Sequence, residues 1–328
     1  MSRCWPRLAI LASALVAIGA TARGASVTPA ATPLFDSATP EGTSFLTAGK
    51  GRLLGARETS AGRFSLLELH PGGPSRFVRS VVSLQRVTVG TDRAGRAVAV
   101  ATSCRALCHL TAIDLTTGRV RSIRRTTSAT VGVMDRGHVV FVREGQAGTA
   151  DLLVDLPDDG GPGRVTRTTA LARADANYDA ARGSVEVTGL ALHAGTLAVV
   201  LEYDTLSNGG SAVQLRRGGR WTLLARSGYG EASGIARVFQ GVSLDDRGVR
   251  SFYDGGDNDA GYVARWSLSG KLAKRIPTKP FGVVNEVWNA AIDGDYLVTV
   301  PARSLECENR ESGDPACTPR RYGPLGLG

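Results

Sequence analysis

Carboxylates carry most of the chemistry open to this 328-residue chain. Glu58, Glu202, Asp204, Asp254, Asp257 and Glu286 fall in or beside stretches rich in Gly and Asn, with Tyr203 and Asn285 among them. Acidic groups gathered on flexible segments favour cations and basic peptides, and tyrosine rings beside them suit stacked sugars. The same composition also makes good solvated turns. Asp254-Gly-Gly-Asp257-Asn258-Asp259 offers oxygens that calcium would accept, but its spacing misses the EF-hand loop and no glutamate closes it; an ordinary loop is the better reading. The motifs G-x-S-x-G and H-E-x-x-H are absent, as is a phosphate-cradling glycine loop. His70, His109, His138 and His193 are scattered over turns and strand starts and build no triad. No catalytic residue is assigned and no cofactor, calcium being the one ion the acids leave open.

The elements that must hold these residues come in six copies. Gly51, Gly95, Gly137, Gly195, Gly248 and Gly294 each mark a tight turn followed by a strand, as in Arg96-Ala-Val-Ala-Val and His138-Val-Val-Phe-Val. Most of these strands are apolar on both faces, which implies a sheet covered on both sides. No crossover helices are expected, so the cover must be neighbouring sheets. A third strand follows in the first five copies, as in Arg63-Phe-Ser-Leu-Leu-Glu-Leu and Asp151-Leu-Leu-Val-Asp-Leu. A fourth then opens on Arg76, Arg119, Arg164, Arg220 or Lys271. Cations on an outermost strand block pairing with another molecule, and that role accounts for them without nucleic acid. The glycine markers are 44, 42, 58, 53 and 46 residues apart, the period of four-stranded blades.

Two phrases, Ala112-Ile-Asp-Leu-Thr-Thr-Gly-Arg119 and Asp92-Arg-Ala-Gly-Arg96, resemble the recurring strand and hairpin of the TolB-like propellers of secreted proteins. The resemblance runs from about Thr43 to Pro301. It implies an all-β, six-bladed β-propeller of WD40-like, four-stranded blades around a channel, and it implies no particular function. Innermost strands are expected near Thr43 to Thr47, Arg86 to Gly90, Ala129 to Val133, Val185 to Leu192, Ala236 to Leu244 and Val287 to Ile292. The sixth copy lacks an outer strand, and Pro33-Leu-Phe-Asp36 is the N-terminal segment that can supply it, burying Phe35 between blades.

In such a fold the long segments Thr169 to Val185, Glu202 to Gly210, Arg226 to Arg237, Tyr253 to Gly261 and Ala302 to Thr318 share one end, the usual seat of binding. The function expected is a non-catalytic propeller that binds a protein or carbohydrate ligand through an acidic, Tyr-bearing loop face. That face comprises Glu58, Glu202, Tyr203, Asp204, Asp254, Asp257, Asn285 and Glu286. One rival is a propeller enzyme of the lactonase or metal-dependent hydrolase kind, with a cation held over the channel by Glu58, Glu202, Asp254, Asn285 and Glu286. Another is a structural module for cell-surface assembly. Oligomeric state is not legible.

Arg3 and Arg7 precede a 13-residue apolar run, Leu8 to Ala20, and the small-residue site Ala20-Thr21-Ala22. This reads as a cleaved signal peptide over residues 1–22 and a secreted or extracytoplasmic protein. Thirteen residues are too few to span a bilayer core about 30 Å thick, and no later stretch would span one either. Residues 23–40 read as a flexible leader that contributes the closing strand, and residues 41–328 as the propeller. Losing Arg3 and Arg7 lowers the formal charge from +9 to +7. Cleavage leaves Cys104, Cys108, Cys307 and Cys317, an even count expected to form the local disulfide bonds Cys104 to Cys108 and Cys307 to Cys317. Mass spectrometry of the exported protein should find Arg23 at its N-terminus; a retained Met1 would contradict the cleavage.

Overall fold

Short runs of small and β-branched residues between glycine turns form antiparallel meanders. The computed structural model describes residues 32–33, 43–70, 74–145, 151–157, 161–173, 175, 178, 185–204, 209–227, 238–255, 261–281, 287–301 and 320–327. Six four-stranded antiparallel sheets result. Blade 1 comprises Thr43–Gly49, Arg52–Ser60, Arg63–Glu68 and Arg76–Val82. Blade 2 comprises Leu84–Thr91, Ala97–Cys104, Cys108–Asp114 and Val120–Ser122. Blade 3 comprises Ala129–Asp135, His138–Arg143, Leu152–Leu156 and Arg164–Arg167. Blade 4 comprises Val185–His193, Thr196–Asp204, Gly209–Arg217 and Arg220–Arg226. Blade 5 comprises Val238–Asp245, Gly248–Asp254, Tyr262–Trp266 and Leu272–Pro277. Blade 6 joins Val287–Asp293, Tyr296–Pro301 and Arg320–Tyr322 to Thr32–Pro33, the two ends of the chain thus sharing one sheet. Leu34 and Phe35 lie outside the described residues.

The first strand of each blade packs against the first strand of the next, and that of blade 6 against that of blade 1, so the ring closes around a channel. Backbones come close there: a Cβ on Gly90 would lie 2.1 Å from the Met134 carbonyl oxygen of the neighbouring blade, and only glycine fits. Apolar side chains collect into six clusters, one at each blade-to-blade interface. This explains why the second strands are apolar on both faces. In blade 4, Leu197, Val199 and Leu201 point into the cluster shared with blade 3, while Ala198 and Val200 point into the one shared with blade 5.

In blades 1 to 3 the residue after the marker glycine pairs with an acid on the third strand. Arg52 meets Glu68, Arg96 meets Asp114 and His138 meets Asp155. Burial pushes the Glu68 carboxyl up, but Arg76 and Arg52 together hold it below the usual glutamate range. Arg76 also donates to the Leu115 carbonyl of blade 2, so this outer-strand cation pins one blade to the next as well as guarding an edge.

Two features depart from the sequence reading. The connection from blade 3 to blade 4, expected as a loop, contains the short helix Thr168–Ala172, and a 3-10 turn, Lys279–Phe281, follows blade 5. Leu171 and Ala172 enter the cluster between blades 3 and 4, and Gln214 donates to the Leu171 carbonyl at 2.7 Å, so burial holds the helix where local propensity would not. Cys104 and Cys108 form a disulfide across the turn between the second and third strands of blade 2; Cys307 and Cys317 lie outside the described residues.

The C-terminal residues form part of the core. Leu325 and Leu327 are buried in the cluster between blades 5 and 6 with Phe252, Val263 and Leu297. The Leu325 amide donates to the Asp295 carbonyl at 2.8 Å, and the Leu327 amide donates to the Asp295 carboxylate. Leu327→Ala should therefore cost about 2–5 kcal/mol in urea unfolding, the range for a buried leucine. An unchanged midpoint would show that the tail is not part of the core.

Candidate binding site at the channel mouth

The channel has two unlike ends. At the base, where inner strands end, Lys50 projects from the hairpin turn of blade 1 and reaches blades 3 and 4. Its ammonium lies 3.0 Å from Asp135 Oδ1, 3.2 Å from the Leu192 carbonyl and 3.1 Å from His193 Nδ1. An ammonium only donates, so His193 Nδ1 must accept and Nε2 carries the hydrogen that bonds Asp246 Oδ1 at 2.8 Å. Asp135 also accepts from the Thr91 hydroxyl at 2.7 Å and from the Ala194 amide at 2.8 Å. Burial pushes the Asp135 carboxyl up, yet Thr91, Ala194 and Lys50 outweigh it and hold the group below the usual aspartate range. Blades 1 to 5 are thereby tied together across the base. All three ammonium hydrogens are used, which leaves this cluster structural.

At the mouth, where inner strands begin, the inner strand of every blade carries a β-bulge against its second strand. Bulges at a rim re-aim side chains. In blade 4 the bulged residue is Thr188, and just above it Glu186 and Glu202 stand directly opposite each other on adjacent strands. Arg86, on the inner strand of blade 2, donates to Glu186 Oε1 at 3.1 Å with the whole of blade 3 between them. The mouth is thus bridged by one cation over two carboxylates. Burial pushes the Glu202 carboxyl above the usual glutamate range, and the Glu186 charge adds to it; Thr188 and Arg86 oppose the shift without cancelling it. The two acids therefore carry negative potential that Arg86 alone does not neutralise.

The residues singled out in the sequence do not all meet here. Glu202 does, beside Arg86, Glu186 and Thr188. Glu58 is at the hairpin between the second and third strands of blade 1, where its Oε1 accepts from the Gly62 amide at 2.9 Å, a turn-capping role. Tyr203 is 4 % exposed, donates to Asp175 Oδ2 at 2.9 Å and meets the Tyr178 ring edge-on, so it anchors the connection before blade 4 from within. Tyr253 is also buried, stacked on Tyr262 at 4.7 Å. These rings therefore serve the blade cores, and the expected Tyr-bearing face is not formed by them. Asp254 is buried at the end of its strand, and Asp204 ends the second strand of blade 4. Asp257, Asn285 and Glu286 lie outside the described residues. Among the described residues no three His, Cys, Asp or Glu side chains gather as a metal site.

The sequence reading missed Arg86, because its partner is 100 positions away and two blades over. It also missed Lys50, although a signal was present: the chain has only four lysines against many arginines.

No protein-family model matches this chain, and no curated protein sequence matches it. Solved structures are similar to it in architecture at low identity. Regucalcin of Agrobacterium tumefaciens, a calcium-binding protein, is 16 % identical, with 91 % of this chain and 94 % of that one covered and a TM-score of 0.49. A gluconolactonase of Xanthomonas campestris is 16 % identical over 88 % of this chain and 87 % of that one, with a TM-score of 0.46. TolB of Acinetobacter baumannii is 13 % identical over 75 % of this chain and 63 % of that one, also with a TM-score of 0.46.

The raised Glu202 carboxyl gives a signed pH dependence. The folded chain binds this proton more tightly than the unfolded chain, so the ionised group costs stability above its folded pKa and the cost vanishes below the ordinary value of 4.5. Glu202→Gln should raise the melting temperature at pH 8, with the gain over the unaltered protein shrinking to nothing near pH 4. A gain that is independent of pH would contradict the assignment.

Proposed function

We propose that this chain is a non-catalytic binding propeller whose channel mouth receives a cationic group, such as a lysine or arginine side chain of a protein partner. The observation that carries this reading is the Glu186 and Glu202 pair, opposed on adjacent strands with Arg86 as its one cation among the described residues. A second cation would offset the burial and the Glu186 charge that together raise the Glu202 carboxyl. Export to an extracytoplasmic compartment, where the partner would be met, rests on the leader sequence.

The rival hydrolase is less well supported. Of its five candidate residues, Glu58 caps a turn. Asn285 and Glu286 lie outside the described residues.

Calorimetric titration with a short oligolysine peptide tests the proposal. The unaltered protein should bind it, and Glu202→Gln should weaken binding about tenfold, or ~1.4 kcal/mol. Binding should fall as pH drops and Glu202 takes up its proton, and an oligoglutamate peptide should not bind. Equal oligolysine affinity in the Glu186→Gln/Glu202→Gln double variant would overturn the reading, as would calcium binding that excludes the peptide.

A further inference from the structure

The outer strands of blades 1 to 5 read Arg76–Val82, Val120–Ser122, Arg164–Arg167, Arg220–Arg226 and Leu272–Pro277, and none contains an acidic residue. A lone cation on each edge would suffice to block strand pairing. Edge protection does not explain a cluster, because like charges held together repel unless an anion joins them.

Such a cluster stands at the turn between the third and fourth strands of blade 4. Arg217 and Arg220 flank Gly218 and Gly219, whose φ values of +57° and +79° make a tight reversal that brings the two arginines side by side. From blade 3, the Arg164 guanidinium reaches the same turn, its Nη1 lying 3.2 Å from where a Cβ on Gly219 would be. All three residues are exposed, and among the described residues none of them has an acidic partner. The nearby acid, Asp155, is already taken by His138 and by the buried Arg216, 2.5 Å away. Beside the turn a cleft of about 590 Å³ opens between blades 4 and 5, with Leu215, Arg217, Arg220, Trp221, Thr222 and Ser269 in its lining. Gly270, at φ +87°, brings the blade 5 turn against Thr222 to form one wall.

We propose that the arginine cluster at this turn and the cleft beside it bind an acidic polysaccharide, the guanidiniums of Arg164, Arg217 and Arg220 taking uronate carboxylates while Thr222 and Ser269 offer hydroxyls to the sugar. Arginine forks suit carboxylates, which they can grip with two parallel hydrogen bonds. Single-stranded nucleic acid fits less well because it needs aromatic platforms for its bases. The cleft lining holds one aromatic ring, Trp221, which also packs toward blade 3 with the Arg216 guanidinium 5.7 Å from its ring centre, so a run of bases would find a single platform. The site is remote in function from the channel mouth, which attracts cations.

The test is binding of a hexauronate, a neutral hexasaccharide and a DNA duplex of matched charge, in low and physiological salt. The hexauronate should bind, the neutral sugar should not, and the Arg164→Ala/Arg217→Ala/Arg220→Ala variant should lose at least tenfold in affinity with its melting temperature unchanged. Arg217→Glu alone should weaken binding as well, which keeps the test open if the triple variant folds poorly. Unchanged affinity in these variants would overturn the site. Duplex DNA binding as tightly as the hexauronate would overturn the polysaccharide assignment.

Discussion

One half-buried ammonium sets the terms for the rest of the molecule. Lys50 leaves its own blade at a hairpin turn, with its backbone at φ +52°, and gives its three hydrogens to blades 3 and 4. A lysine, with donors spread about a point charge, can serve three acceptors in different directions, whereas a planar guanidinium could not take its place. Through Asp135 the contact extends to Thr91 of blade 2, and through His193 to Asp246 of blade 5. A ring of sheets has no central core of its own. Here a polar cluster at the base supplies the cross-channel link that apolar side chains supply between neighbouring blades.

That arrangement divides the electrostatics by location. Glu68, Asp135 and Asp155 are all held below their ordinary ranges by cations and hydrogen bonds that outweigh their burial. Their stabilisation is therefore present above the unfolded carboxylate values and is lost as pH falls through the folded ones. Glu202 has the opposite sign, because its burial is not offset and a second carboxylate, Glu186, adds to the shift. Glu68, Asp135 and Asp155 each meet a cation, whereas Glu202 at the mouth stands opposite a second carboxylate.

Much of the architecture was legible because it is periodic. Six marker glycines and strands apolar on both faces gave blade number, strand order and inner strands, and the deficit in the sixth copy pointed to the N-terminal segment whose Thr32–Pro33 pairs with Arg320–Tyr322. The helix Thr168–Ala172 was not legible, since tertiary burial of Leu171 holds it together. Site residues were read less well for a related reason. Loop acidity and tyrosines suggested a face, but whether Tyr203 points to solvent or to Asp175 depends on contacts 28 positions apart. His138 and His193 looked scattered along the chain, yet each closes a specific pair with an aspartate in the fold. Spacing in sequence cannot reveal partners that meet across a channel.

The central claim is that the Lys50 and Asp135 contact ties the blades together across the channel base. A double-mutant cycle by urea unfolding, using Lys50→Met, Asp135→Asn and the pair together, tests it most directly. Each single change leaves a buried charged or polar partner uncompensated and should cost about 3 kcal/mol, with a coupling of about 1–3 kcal/mol between them. Additive effects, within ~0.5 kcal/mol, would contradict it.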